Sequence, residues 1–258
     1  MAKLKNQNSK AAVMLSILAL LAVGLLVWTA RSSHSTDIVS STKTPKIATP
    51  TNSGSSVIQK ETVAPDQVWP KQLSSEEASS LNVVVNKKHK LPSDYTPELV
   101  NIRGFKLRSE ASIALEQLLT DAKNSGVSLK IISAYRSYSY QEQVYGGYVA
   151  QYGQEKADTI SARPGHSEHQ TGLAVDLGAS DGTCDLEICF ENTSAGAWIK
   201  DNAQNFGFIV RYLKGKETLT GYQYEPWHLR YVGVDIADKM NSSGQTMDEY
   251  FGVYAGSY

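Results

Sequence analysis

The stretch SEHQTGLAVDLG, residues 167–178, decides how this chain folds. His169 and Asp176 stand seven residues apart, an odd separation that puts them on opposite faces of a straight strand. They converge only if the chain turns between them, and Thr171-Gly172 supplies that turn. After Gly172, Leu173, Val175 and Leu177 alternate with Ala174 and Asp176, so the apolar residues enter a core while Asp176 points the other way. A carboxylate on that face must be paired, solvated or bound to metal. A second stretch, YEPWHLRYVG, residues 224–233, has the same logic. Trp227, Leu229 and Tyr231 share one face of a strand and His228 takes the other. Pro226 forces Glu225 into an extended conformation, which lets it approach the same pocket.

Two imidazoles and one carboxylate (His169, Asp176 and His228) suit one zinc ion with a coordination position left open for water. Glu225 is of the right chemical type to accept a proton from that water. The pattern is not the HExxH helix motif. A lone strand histidine is more often a hydrogen-bonded surface or core residue, and His89 and His166 fall under that plainer reading. The four residues together are what make a metal site the expectation.

Working outward, residues 109–124 form an amphipathic helix, with Ala111, Ala114, Leu115, Leu118, Leu119 and Ala122 on one face. Ser109 is its expected cap and Gly126 its stop. VSLKIISAYRS, residues 127–137, reads as a strand, as do FGFIVRY, residues 206–212, and the segment around His228. Residues 140–151 and 195–205 look helical, and a short strand is expected at Val83–Val85 before a turn near Pro92. Helices and strands mixed in this way describe an α+β domain over residues 73–258.

The residues before it are of another kind. Ala11 to Ala30 reads AAVMLSILALLAVGLLVWTA, without a charge, and as a helix spans roughly 30 Å, the thickness of a hydrocarbon core. Lys3, Lys5 and Lys10 precede it and Trp28 lies near its far end, which predicts a membrane anchor over residues 1–31 with the remainder outside the cell membrane. A cleaved signal peptide is the rival reading, but its apolar region usually runs only about 7–15 residues. Residues 32–72 are rich in Ser, Thr and Pro and predict an unfolded linker. Cys184 and Cys189, close together in CDLEIC, predict a short-loop disulfide in an oxidising compartment. A metal site there is the weaker reading, since no second Cys or His cluster accompanies them. A net charge of −1 gives no electrostatic case for nucleic acid.

At SAYRSYSYQ (residues 133–141), ARPGHSEHQTGLAVDLG (162–178) and TGYQYEPWHLRYVG (220–233), the chain resembles the VanY-type zinc D-alanyl-D-alanine carboxypeptidases. These are related to lysostaphin-type peptidases and the hedgehog signalling domain. The resemblance runs from about Leu81 to the C-terminus and includes VVVNKKHKLPSDYTPELV, residues 83–100. It implies a small antiparallel sheet flanked by helices. It implies His169, Asp176 and His228 as zinc ligands, Glu225 as catalytic base, and Arg136 as the residue that holds substrate and stabilises the oxyanion. Gln141, Ser167 and Tyr212 are its implied substrate contacts.

The chemistry agrees with the resemblance. Zinc lowers the pKa of a bound water to about 7, and a bidentate arginine suits a terminal carboxylate; Arg136 or Arg163 has the right type. A surface salt bridge is the plainer reading of Arg163. The expectation is an exported enzyme that trims a terminal D-alanine from peptidoglycan stem peptides, either as a D,D- or as an L,D-carboxypeptidase. The rivals are an endopeptidase acting on cross-bridges and a wall-binding module without catalysis.

Overall fold

The structure, a computed structural model, describes residues 71–258. The expected anchor at Ala11–Ala30 and the expected linker up to residue 70 lie outside the described residues. Among the described residues no helix is long and apolar enough to cross a membrane.

The chain begins with a short strand, β1 (Lys71–Gln72), that pairs in parallel with β2 (His89–Lys90). Backbone pairing thus starts two residues before the expected domain boundary at Leu73. Between them lies helix α1 (Ser75–Ser79), opened by a capping box in which Ser74 and Glu77 satisfy each other's backbone amides. Strands β3 (Val100–Ile102) and β4 (Phe105–Leu107) form a hairpin whose two turn residues, Arg103 and Gly104, both have positive φ. Such a two-residue turn matches the twist of the flanking strands.

Helix α2 (Ser109–Asn124) follows, with the bounds that its periodicity predicts. Then come β5 (Leu129–Ser133), α3 (Tyr138–Tyr152), α4 (Gln154–Ile160), β6 (Ala174–Ala179), α5 (Ser194–Asn202), β7 (Phe208–Val210), α6 (Glu217–Thr220), β8 (His228–Tyr231), α7 (Val234–Ser243) and α8 (Met247–Phe251). Four of the strands make one antiparallel sheet in the order β5-β6-β8-β7. The result is a mixed α+β domain with small sheets flanked by helices.

One face of that sheet is the core. Val175, Leu177, Leu229 and Phe208 pack with the apolar stripe of α2 and with Phe190 and Ile199. Burial of these side chains, each worth roughly 1.5–3 kcal/mol, holds the sheet in register. The pleat then sends the alternate residues to the opposite face. Asp176 lies directly across from His228, one step along from the core pair Val175 and Leu229.

Two local expectations need correction. Ser109 does not cap α2: the cap position is Arg108, no side chain completes it, and the Arg108 amide donates instead to the Gly172 carbonyl. Val83–Val85 are buried but form no strand. The Arg230 guanidinium takes the carbonyls of Leu81 and Val83, at 2.9 and 2.8 Å, so a ladder partner is not needed there.

Candidate metal centre

Three backbone devices assemble the site. A single 3-10 turn, Glu168–Thr171, ends on Gly172, whose φ of 69° reverses the chain and lets His169 face Asp176. The Asp176–His228 cross-strand pair supplies the second approach. The third is an irregularity in β5 between Ile131 and Ser133, which sets Ser133 opposite Asp176 and brings the following segment, Ala134 to Arg136, over the site. The Arg136 amide is itself tied to the His169 carbonyl at 3.2 Å.

The three expected ligands meet. His169 Nε2 is 3.2 Å from one Asp176 oxygen, and His228 Nδ1 is 3.0 Å from the other. Ligand atoms of the three residues lie within 4.8 Å of one another, and all three side chains are buried. The far nitrogen of each ring is directed as well. His169 Nδ1 donates to the Ala134 carbonyl at 2.6 Å, which leaves Nε2 as the lone-pair atom facing Asp176. His228 Nε2 faces a carboxylate oxygen of Glu168 at 3.5 Å. The His228 ring is boxed further by Tyr212, with centroids 5.1 Å apart, and by the edge-on His169 ring at 5.0 Å.

The electrostatics favour a cation at this point. Burial alone would raise the Asp176 carboxyl, but the two imidazoles outweigh it and hold the group far below the usual carboxylate range. Burial disfavours a charged His228, yet its contacts with Asp176 and Glu168 push it up to about 10, so without a metal a proton is held in the same place. Two imidazole nitrogens and one carboxylate, with directed outer contacts, fit a single zinc ion that keeps an open coordination position.

Glu225 stands beside this set, its Oε2 4.0 Å from His228 Nδ1. Its removal from water drives the carboxyl up to about 7, despite the opposing pull of His228. That value suits a group that takes and returns a proton near neutrality.

The four residues floor a cavity of about 340 Å³, whose wall includes Arg136, Gln141, Ser167 and Tyr212. Every expected site residue outside the cysteine pair therefore lines one cavity. Gln141 has a second role that its sequence position did not show. Its carbonyl oxygen accepts from Arg136 Nη1 at 2.7 Å, while its amide donates to the Ala162 carbonyl at 2.7 Å. Gln141 thus braces Arg136, and Ser133 Oγ accepts a second guanidinium bond at 3.1 Å. Arg163 is not part of the cavity; it pairs with Asp158 at 2.7 Å and stacks on Tyr258. His166 is also elsewhere, its Nδ1 donating to the Asn86 carbonyl at 2.8 Å. His89 sits by Asn86, half-buried, and joins no metal group.

Cys184 and Cys189 form a disulfide with Cα atoms 5.6 Å apart. The loop that it closes carries Leu186 on the cavity rim. Sequence reasoning passed over Leu186, and it passed over Glu168, which lies fully buried between Arg211 and Arg230. No periodicity or spacing in the sequence marks Glu168, whose burial only the structure shows.

Comparison with known proteins gives the family. Residues 104–234 match the family described as VanY, D-alanyl-D-alanine carboxypeptidase. YodJ of Bacillus subtilis (strain 168), by name a candidate carboxypeptidase, is 41% identical over 179 residues, which is 65% of this chain and 66% of YodJ. The chain thus spans just under two thirds of that relative. A D-alanyl-D-alanine carboxypeptidase of Enterococcus faecalis (strain ATCC 700802 / V583) is 34% identical over 227 residues, 83% of this chain and 81% of its own. Among solved structures, the LD-carboxypeptidase LdcB is 40% identical with a TM-score of 0.64, covering 68% of this chain and 87% of LdcB. A vancomycin-resistance D,D-pentapeptidase VanY in complex with Zn(II) is 33% identical with a TM-score of 0.60, covering 67% and 99%. The chain belongs to the VanY family of zinc D-alanyl-D-alanine carboxypeptidases.

Proposed function

We propose that this domain is an exported zinc carboxypeptidase that removes the terminal D-alanine from peptidoglycan stem peptides. The observation that carries the reading is Glu225: a partly buried carboxyl with its proton affinity raised to about 7, 4.0 Å from the ligand nitrogen of His228, at the floor of a cavity walled by an arginine. In this reading His169, Asp176 and His228 hold the zinc ion. When bound there, zinc polarises the scissile carbonyl and acidifies the attacking water. Glu225 takes the proton from that water and delivers it to the leaving amine. Arg136, held by Gln141 and Ser133, offers its guanidinium to the oxygen on which negative charge builds or to the terminal carboxylate. Tyr212 and Ser167 line the space beside it.

The N-terminal residues complete the proposal. Residues 1–31 serve as cytoplasmic tip and membrane anchor, the segment from 32 up to β1 as a tether, and the domain beyond it works at the cell wall. The apolar run at Ala11–Ala30 supports this, and so does the Cys184–Cys189 disulfide, which fits an oxidising compartment.

The test is to incubate the purified domain with tetrapeptide and pentapeptide stems and weigh the products. Loss of one alanine residue from either stem is expected, together with its disappearance in Glu225→Ala. No alanine release from either stem refutes the reading. Cleavage confined to cross-linked material points to an endopeptidase instead.

A further inference from the structure

The strongest unexplained feature near the site is a buried chain of charges. Glu168 has no exposed side-chain surface, and one of its oxygens, Oε1, accepts from both Arg211 Nε at 2.8 Å and Arg230 Nη1 at 2.9 Å. Arg211 continues to Asp248 of α8 at 2.6 Å, and Asp248 accepts from Asn86 at 2.8 Å. Two cations and two anions balance inside the protein. Such a network is costly to build and is weak evidence for stability by itself.

What it leaves over is informative. The second Glu168 oxygen, Oε2, has no hydrogen-bond partner, and neither has His228 Nε2. These two buried atoms face each other at 3.5 Å. An imidazole that gives one nitrogen to a metal carries its proton on the other, and that N–H needs an acceptor. Since His228 Nδ1 faces Asp176, Nε2 is the nitrogen that must donate.

We propose that Glu168 is a positioning residue: clamped by Arg211 and Arg230, it accepts a hydrogen bond from His228 Nε2 and so fixes the tautomer and ring angle that aim Nδ1 at the metal. The inference rests on the zinc reading of the site. His169 has the Ala134 carbonyl for the same task, but His228, on a bare strand, has only Glu168 beyond the metal side. The arginines account for why the carboxylate is held in one orientation, with Oε1 occupied and Oε2 free to face the ring.

The test separates a positioning role from charge balance. Glu168→Leu removes the acceptor, but alone it strands two buried arginines and is expected to fold poorly, so it is paired with Arg230→Met, which removes one positive charge along with one negative. Zinc affinity is measured by chelator competition for wild type, Arg230→Met and the double variant, with the melting temperature of each metal-free protein as the folding control. Arg230→Met loses one clamp but keeps the Arg211 contact to Oε1, so it is the reference, and the double variant should bind zinc about 10–100-fold more weakly than Arg230→Met, the range for lost outer contacts of a metal-bound histidine. A double variant that binds zinc as tightly as Arg230→Met overturns the proposal. If wild type itself binds no zinc, the proposed function fails instead. A long-range proton–nitrogen spectrum of zinc-loaded wild type gives an answer without any variant. A slowly exchanging, downfield Nε2 proton on His228 is expected, and a proton on Nδ1 overturns the inference.

Discussion

Replacing Gly172 by alanine tests the turn on which both fold and site depend. Gly172 has a φ of 69°, a region that costs an L-residue roughly 1–2 kcal/mol. An added Cβ would lie 2.9 Å from Leu99 Cδ2, 3.1 Å from Arg108 Cγ and 3.2 Å from Pro97 Cγ. Three side chains from two segments must then retreat together, and forcing a methyl into such a packed place costs about 1–3 kcal/mol. The sum, about 2–5 kcal/mol, is a large part of the roughly 5–15 kcal/mol that holds a domain folded. His169 is three residues before the turn and Asp176 four after it, so a shift there separates two ligands, and zinc should bind at least about tenfold more weakly. Urea unfolding of the metal-free protein gives the first number and chelator competition the second. Gly147→Ala is the control. Gly147 is an exposed residue inside α3 with nothing within 4 Å of an added Cβ, and the same methyl should stabilise the protein by about 0.5–1 kcal/mol. The reasoning is refuted if Gly172→Ala stays within about 0.5 kcal/mol of wild type and keeps its zinc affinity.

Arg136→Lys keeps the charge but loses the fork shared by Gln141 and Ser133, so kcat/KM on stem peptides should fall about 10²–10³-fold while zinc affinity stays unchanged; equal losses in both would mean that Arg136 supports the metal instead. His166 is buried, and burial lowers its pKa to about 4 from 6.5. The unfolded chain therefore binds that proton first, and stability present above pH 6.5 drains away as pH falls towards 4, by about 3 kcal/mol in all. Unfolding curves across that window should show His166→Gln lacking this portion of the slope. Reducing the Cys184–Cys189 bridge should cost about 2 kcal/mol by the loop-entropy relation. It should also raise KM, since Leu186 inside the loop lines the cavity; a melting curve and a Michaelis curve, each with and without reductant, check both.

What could be read from the sequence was what depends on near neighbours. Helix α2 follows from its apolar spacing, and its observed bounds are those of the pattern. The turn at Gly172 follows from an odd separation between two residues of matched chemistry. Val83–Val85 shows the opposite case. Three β-branched residues in a row suggest a strand, but whether a strand forms depends on what reaches their carbonyls. Here it is Arg230, 147 residues beyond Val83, and no local pattern contains that fact. Gln141 was legible as a site residue and not as a brace, because its role depends on Ala162, 21 residues later.

The alternation in β6 explains why the proposed metal ligands could be read from the sequence and Glu168 could not. Slipping that strand by one residue would carry Val175 and Leu177 out of the core and Asp176 into it. The apolar residues that bind the strand to α2 thereby also decide where Asp176 points, and its partner His228 is decided by Trp227 and Leu229 in the same way. Core and site share one pattern, so reading the core places the ligands. Glu168 comes before the Gly172 turn, within a 3-10 segment whose residues are all buried and whose faces no alternation marks. Its direction is set by Arg211 and Arg230, 43 and 62 residues away. A ligand on a regular strand inherits its position from hydrophobic periodicity, whereas a residue that orients the ligand takes its position from charge pairing across the fold, which only the assembled structure displays.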